Sequence, residues 1–299
     1  MKVGILGGGT WGQALARLVM AAGHEPLIAY RDVKPPQMLP SSDDPPAVSE
    51  QCELLIAAVS ASELRRAIQL AQPGPQHRVV VAGRGVEPGS GAWLTDVVLQ
   101  ESDALRVGAL VGPSPVDEIL NGGLCAGVVA SAYDEVRQRL TTALHSSRYR
   151  VYESHDLTGV QLAGAVVPVM ATLLGVARNL RGAGVGVHAL VLTRGLAEVR
   201  RLTEAVGADP TTFSGLAGVG DLVAAQGRDG HPHYDAGKAL AGGDLTVGPQ
   251  SLARTLVAMA RDHHVGLPLI EALVGIYDGL PPVEAVQLLM ARPAQREHR

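Results

Sequence analysis

The first twelve residues, Met1-Lys2-Val3-Gly4-Ile5-Leu6-Gly7-Gly8-Gly9-Thr10-Trp11-Gly12, restrict this chain more than any other stretch. The apolar run at residues 3–6 reads as a buried strand. It passes directly into Gly7, Gly9 and Gly12, a G-x-G-x-x-G, and residues 13–22 follow with helical composition up to Gly23, a C′ stop. Each glycine has a mechanical role. Gly7 permits the tight turn, Gly9 lets backbone amides approach a pyrophosphate, and Gly12 lets the helix pack close to the strand. The helix start then offers unpaired N–H groups and partial positive charge to phosphates. In a chain with 36 glycines the spacing alone is weak. The strand before it, the helix after it and a second strand at 24–30 supply the required context. The pattern predicts a dinucleotide-binding βαβ unit with Gly7, Gly9, Thr10, Trp11 and Gly12 at the cofactor.

The second strand runs into Tyr30-Arg31-Asp32. Arg31 lies 19 residues past Gly12 (31 − 12), where the 2′-group of the adenosine ribose is expected. A guanidinium there favours a 2′-phosphate and hence NADP. An acid there, Asp32, suits the ribose hydroxyls of NAD. The reading leans to NADP and leaves NAD open.

Further along, short apolar runs at 54–59, 78–82, 107–111, 126–131 and 149–152 alternate with helical stretches at 61–72 and 134–145. That is the mark of a Rossmann-type, doubly wound parallel sheet in an α/β domain. The proline- and serine-rich connection 35–46 reads as irregular. Ligands bind at loops after strand C-termini, which places Arg84, Gly112 and Ser114 at the nicotinamide end. From residue 156 strands disappear. Alanine- and leucine-rich helices are expected at 156–180, 188–206, 211–217, 235–241, 249–263, 268–277 and 281–290, with a charged tail at 292–299. The organisation expected is a dinucleotide-binding domain at 1–153 and an all-helical substrate or dimerisation domain at 154–299.

Only 3% of residues are aromatic against 46% hydrophobic, so Ala, Val and Leu must build the core, as suits helices on a parallel sheet. Twenty-five basic against 29 acidic residues give a net charge of −4, which argues against nucleic acid. Cys52 and Cys125, with no C-x-x-C, read as buried free thiols in a reducing cytosol. No apolar run reaches 18 residues without glycine or charge, and no secretory leader is read, so a cytoplasmic chain without a membrane span is expected.

Four ordered blocks carry a resemblance. Gly7-Gly8-Gly9-Thr10-Trp11-Gly12-Gln13-Ala14-Leu15-Ala16, Leu157-Thr158-Gly159-Val160-Gln161-Leu162-Ala163-Gly164-Ala165-Val166, Leu192-Thr193-Arg194-Gly195-Leu196-Ala197-Glu198 and Ala217-Gly218-Val219-Gly220-Asp221-Leu222 resemble bacterial NAD(P)-dependent glycerol-3-phosphate dehydrogenases over nearly the whole chain. The resemblance implies reversible hydride transfer between NAD(P)H and dihydroxyacetone phosphate, a place in glycerophospholipid metabolism, a small phosphorylated substrate and a homodimer. It also implies a role for Asp221 near the substrate hydroxyls, although a helix cap explains Asp221 equally well.

Where that chemistry needs a proton donor the chain departs from the family. The family's catalytic lysine and asparagine fall on Val167 and Pro168. Valine donates no proton, and proline should kink a helix at a cost of roughly 3 kcal/mol. A second family lysine is here Arg84, which keeps the charge but donates a proton poorly. The family's phosphate-holding stretch falls on His231-Pro232-His233-Tyr234-Asp235, and its Val-Glu-Gly on Val247-Gly248-Pro249. Losing one general acid costs about 10²–10⁴-fold, so family activity is expected to be weak or absent. The alternatives are an oxidoreductase on another small ketone or alcohol, with His188, His231 or His233 as acid, and a non-catalytic dinucleotide-binding protein. The spacing of His231-x-His233 could hold a metal in an extended segment, but no third ligand is evident apart from Tyr234 and Asp235 nearby, and a solvated loop is the better reading. Arg194 reads as a structural ion pair or cap, and Gln161 either faces the cleft or packs. His263-His264 ends a helix.

Overall fold

The computed structural model describes residues 1–227 and 230–291, so the tail at 292–299 lies outside the described residues. The chain divides into two compact units, Met1–Ala165 with Gly207–Asp221, and Val166–Val206 with Leu222–Arg299. This division does not follow the change of composition near residue 153. It falls inside one long helix, and a fifteen-residue segment, Gly207–Asp221, rejoins the first unit.

The first unit is an eight-stranded sheet. In chain order the strands are β1 (Lys2–Leu6), β2 (Glu25–Ala29), β3 (Ser41–Ser42), β4 (Leu54–Ala57), β5 (Arg78–Val81), β6 (Arg106–Val111), β7 (Cys125–Ala130) and β8 (Tyr149–Ser154). Their order in space is β3-β2-β1-β4-β5-β6-β7-β8. All pairs are parallel except β6 with β7, a reversal that apolar runs alone do not reveal. Alternate residues face opposite ways. Leu54, Ile56 and Val80 join a core with Leu15 and Val19 of α1 (Thr10–Ala21) and Leu140 of α6 (Asp134–Leu144). Leu55, Ala57, Val79 and Val81 join a second core with Leu64 and Ile68 of α3 (Leu64–Ala71) and Val97 of α4 (Leu94–Glu101). Burial on both faces explains the uninterrupted apolar strands.

The stretch 35–46 is more regular than its prolines suggest. It contains β3, and α2 (Pro45–Gln51) begins at Pro45, with the Asp44 carboxylate accepting from the Ala47 amide at 3.2 Å. An acid N-cap followed by proline at the first helical position is a start signal. A short α5 (Val116–Leu120) after Pro115 is likewise not evident as a periodic run. Cys52 is buried as expected, but Cys125 is only half-buried; both thiols are free.

The helix α7 (Leu157–Asn179) runs through Pro168 without a break, so the proline does not end it. It is long and apolar enough to cross a membrane by length and composition, yet its most apolar eighteen-residue window is entirely buried. The expected helix at 211–217 is instead a 3₁₀ turn at Thr212–Ser214 followed by a π turn at Leu216–Gly220. The carbonyl of Phe213 occupies the space a side chain at Gly218 would need. Asp156 holds this segment to the first unit: its carboxylate accepts from the Gly159 amide at 2.9 Å, the Asp209 amide at 3.1 Å and the Thr212 hydroxyl at 2.5 Å.

The second unit is helical. It contains α8 (Val185–Ala205), α10 (Pro232–Ala241), α11 (Gln250–Asp262), α12 (Pro268–Tyr277) and α13 (Pro282–Met290) besides the rest of α7 and of α9 (Asp221–Gln226). Helices α7 and α10 approach backbone to backbone, since a side chain at Gly175 would overlap the Tyr234 carbonyl and one at Gly237 the Thr172 carbonyl. The buried carboxylate of Glu198 on α8 accepts from the Leu269 amide at 2.9 and 3.1 Å, capping α12. Burial raises the Glu198 carboxyl to about 7, against a smaller opposing effect of the amides.

A carboxyl raised above its unfolded value of 4.5 stabilises the fold fully below that pH. The contribution is lost as pH rises towards about 7. Relative to Glu198→Gln, the wild type is therefore expected to lose on the order of 1–3 kcal/mol of unfolding free energy between pH 4.5 and 7. Urea denaturation of both proteins across that range measures it. A wild type that gained on the variant with rising pH would contradict the assignment.

Candidate active site

The parallel strands β2, β1, β4 and β5 all end on one edge of the sheet, and there the loops collect. After β1, Gly7 turns with φ +127°, a conformation that disfavours any other residue. Its amide donates to the Ala29 carbonyl of β2 at 2.8 Å, and the Ala58 amide donates to the Leu6 carbonyl at 2.8 Å. A side chain at Gly12 would overlap the Gly7 carbonyl, so α1 can pack this close only with glycine there. Gly9 is the N-cap of α1 with φ −66°, and nothing lies within 4 Å of the place where its side chain would be. Thr10, the first residue of α1, is exposed. The helix therefore presents its free amides to open space, as a phosphate site requires.

Two cavities flank this turn. One, of about 290 Å³, is lined by Gly7 to Gly9, by Tyr30 to Val33 after β2 and by Glu63 before α3. The other, of about 420 Å³, is lined by Trp11, Gly83, Arg84, Gly112, Ser114 and Val116 among others. Ala58, Val59 and Ser60 after β4 line both. Two compartments meeting beside a helix start fit the adenosine and nicotinamide halves of a dinucleotide joined by a pyrophosphate. The loop after β4, which carries both walls, escapes the sequence reading because it looks like the end of an apolar strand.

The polar groups of the second cavity are already engaged. The Trp11 indole N–H donates to the Ala82 carbonyl at 2.8 Å. Arg84 forms an ion pair with the buried Asp221 and donates to the Gly112 carbonyl at 2.9 Å. Asp221 opens α9, but the partner of its carboxylate is Arg84, 137 residues earlier. The Ser114 hydroxyl donates to the Ala126 carbonyl at 2.9 Å and lies 2.8 Å from the Tyr149 hydroxyl. Its single proton is thus committed, and Tyr149 donates to it. Tyr149 is fully buried, and burial raises its phenol to about 12. A side chain at Gly127 would overlap that hydroxyl, so glycine makes the room for it. No motif in the sequence points to Tyr149.

In the first cavity, Arg31 Nε donates to Asp32 at 2.6 Å and Nη2 to Glu63 at 3.2 Å. The pairing lowers the Asp32 carboxyl and raises the Arg31 guanidinium. Arg31 and Asp32 are thus bonded to each other, and Glu63 is a third member the sequence does not suggest.

Other candidates fall elsewhere. Gln161 packs: its side-chain oxygen accepts from the amide and hydroxyl of Thr95 at 3.1 and 3.2 Å, holding the start of α4. Val167 and Pro168 are buried in α7. His231 is no part of an extended segment. It caps α10, Nδ1 accepting from the Tyr234 amide at 3.3 Å, and His233 lies in the first turn. No group of three potential metal ligands occurs among the described residues. His188 places Nε2 2.7 Å from the Gln226 side chain, at the start of α8 and the end of α9.

Models of the NAD-dependent glycerol-3-phosphate dehydrogenase N-terminus and C-terminus match residues 29–137 and 156–287. The chain belongs to the NAD-dependent glycerol-3-phosphate dehydrogenase family. A glycerol-3-phosphate dehydrogenase, NAD(P)+, of Symbiobacterium thermophilum is 34% identical over 329 residues, covering 99% of this chain and 96% of the relative. One from Brucella canis is 32% identical over 323 residues, covering 99% of each. A solved glycerol-3-phosphate dehydrogenase from Coxiella burnetii superposes with a TM-score of 0.86 at 26% identity, over 97% of this chain and 99% of that one. The family is NAD(P)-dependent, in keeping with the sheet edge and its glycine turn.

Gly9 and Gly7 separate binding from folding. Gly9→Ala is expected to change stability by under about 1 kcal/mol, since a poorer N-cap offsets reduced unfolded-state entropy. It should weaken NADH or NADPH binding at least tenfold, because the methyl fills the open space. Gly7→Ala should cost about 1–3 kcal/mol, from its φ and from the Ala58 carbonyl 2.6 Å from the added carbon. Calorimetric titration and denaturant melts measure both. A Gly9→Ala variant that bound dinucleotide normally would rule out the helix start as the phosphate site.

Proposed function

We propose that this chain holds NAD(P)(H) across the two cavities but reduces dihydroxyacetone phosphate slowly or not at all. A bound nicotinamide supplies or accepts the hydride. In this reading Gly9 and the start of α1 take the pyrophosphate, Arg31 and Asp32 the adenosine ribose, and Trp11, Arg84, Gly112 and Ser114 surround the nicotinamide end. Asp221 serves by positioning Arg84.

One observation carries the catalytic half. The polar side chains lining the second cavity are Trp11, Ser60, Arg84 and Ser114, and none releases a proton near neutrality. Arg84 donates hydrogen bonds and stabilises charge, but a guanidinium keeps its proton. Ser114 is committed to Ala126, and Tyr149 behind it holds its proton up to about pH 12. Val167, at the position the resemblance gives to the catalytic lysine, is a buried hydrocarbon. A carbonyl taking a hydride here lacks its acid, at a cost of about 10²–10⁴-fold.

A reductase of another small ketone using a histidine acid gains less support. His231 spends Nδ1 on capping α10, and His188 Nε2 is held by Gln226. The substrate class is a small molecule, with a phosphate as the family relation suggests. A reducing cytosol is consistent with two free thiols that burial raises to about 11, and light scattering would read directly the homodimer that the resemblance implies.

Stopped-flow or steady-state absorbance at 340 nm tests the reading. Titration should show NADH or NADPH binding, while turnover of dihydroxyacetone phosphate should fall below about 0.1 s⁻¹, 10²-fold under the median of about 10 s⁻¹ and outside the roughly 1–10³ s⁻¹ usual for enzymes. Turnover within that usual range would defeat the proposal. So would failure of both dinucleotides to bind.

A further inference from the structure

Arg31 is the residue that would favour a 2′-phosphate, and its guanidinium is bridged between two carboxylates. Asp32 is its neighbour in the chain. Glu63 is not: it comes from the N-cap of α3, whereas Arg31 follows β2. Strands β2 and β4 pair on opposite sides of β1, so the Arg31–Glu63 bond spans the end of β1 over the first cavity. All three side chains line that cavity together with Gly7 to Gly9. One guanidinium against two carboxylates leaves these three groups at −1, which Arg66, acting on Asp32 from α3, offsets.

The exposure of these groups decides how firm the bridge is. The side chains of Arg31, Asp32 and Glu63 are 40, 66 and 49% exposed. Exposed ion pairs are weak and exchange readily, whereas a guanidinium grips a phosphate through two parallel charge-assisted hydrogen bonds. The Glu63 carboxylate therefore sits on Arg31 as a displaceable anion. Asp32 remains adjacent in either case, and an acid at this position suits ribose hydroxyls.

Resting on the reading that a dinucleotide occupies these cavities, we propose that Glu63 competes with the 2′-phosphate of NADP(H) for Arg31, reducing the selectivity for NADP(H) that Arg31 alone would impose. NAD(H) carries a hydroxyl at that position and leaves the Arg31–Glu63 bond intact. NADP(H) must break it, and then holds a phosphate dianion near a released carboxylate. Glu63 is thus a specificity-determining residue that acts against one cofactor and is indifferent to the other.

Calorimetric titration of the full chain with NADPH and with NADH, at low and high salt, tests this without reference to turnover. Glu63→Gln keeps the size of the side chain and removes its charge. It is expected to tighten NADPH about two- to tenfold at low salt, the range of a weak exposed pair, with less gain at high salt. NADH should change less than twofold. Arg31→Gln should weaken NADPH and spare NADH, and the double variant should lose the gain of Glu63→Gln. Adenosine 2′,5′-bisphosphate against ADP should repeat the pattern, placing the effect at the 2′-phosphate. If wild type binds both dinucleotides and Glu63→Gln changes neither, or changes both equally, the proposal is overturned while the cofactor site stands. If wild type binds neither, the cofactor site and the proposal fall together.

Discussion

The contact between Gly12 and the Gly7 carbonyl is the constraint from which the site follows. No side chain fits between them, so α1 lies against the end of β1 and its first turn opens at the edge of the sheet. Because β2 and β4 flank β1 in parallel, their own loops end at the same edge. One close backbone approach thereby sets a helix start with free amides between two cavities. The open space at Gly9 and the left-handed turn at Gly7 are consequences of the same geometry.

A second constraint acts on the chemistry. Segment Gly207–Asp221 returns to the sheet unit, held by Asp156 near its start and by Arg84 at its end. The pairing buries Asp221 and takes up Arg84. Together with the bonds from Trp11 to Ala82 and from Ser114 to Ala126, it leaves the second cavity with polar groups already engaged by their own unit. Shape and proton supply are independent properties. Here the sheet loops set the form of the cavity, while its proton supply depends on the polar side chains that line it, Trp11, Ser60, Arg84 and Ser114. The sheet and its loops depend on hydrophobic burial and glycine geometry, neither of which requires the catalytic side chain, so the two could diverge without loss of fold.

The central sheet was legible because its strands are buried on both faces and so are apolar runs, as at residues 54–57 and 79–81. The long helices were legible by composition. Elements that rely on short-range devices were not. Helix α2 starts on Asp44 and Pro45, inside a stretch whose prolines suggest irregularity. His231 starts α10 by accepting an amide bond, which its spacing from His233 does not reveal. The antiparallel β6–β7 pair depends on how the chain returns, and each strand taken alone is compatible with either direction. Of the site, the glycine turn, Arg31, Arg84, Gly112 and Ser114 were named from position alone. Glu63, Tyr149 and the loop Ala58–Ser60 were not, because each reaches the site from a segment with no motif of its own.

What the sequence determined by itself was local and periodic: a strand–glycine turn–helix unit and a family likeness in four ordered blocks. These follow from residue identity and spacing, so no coordinates are needed to see them. Only the tertiary structure decided which charges meet. Arg31 with Glu63, Arg84 with Asp221 and Ser114 with Tyr149 lie 32, 137 and 35 residues apart. Whether a charged or hydroxyl group is free for a ligand depends on such long-range partners, and packing brings them together only once the whole sheet has formed.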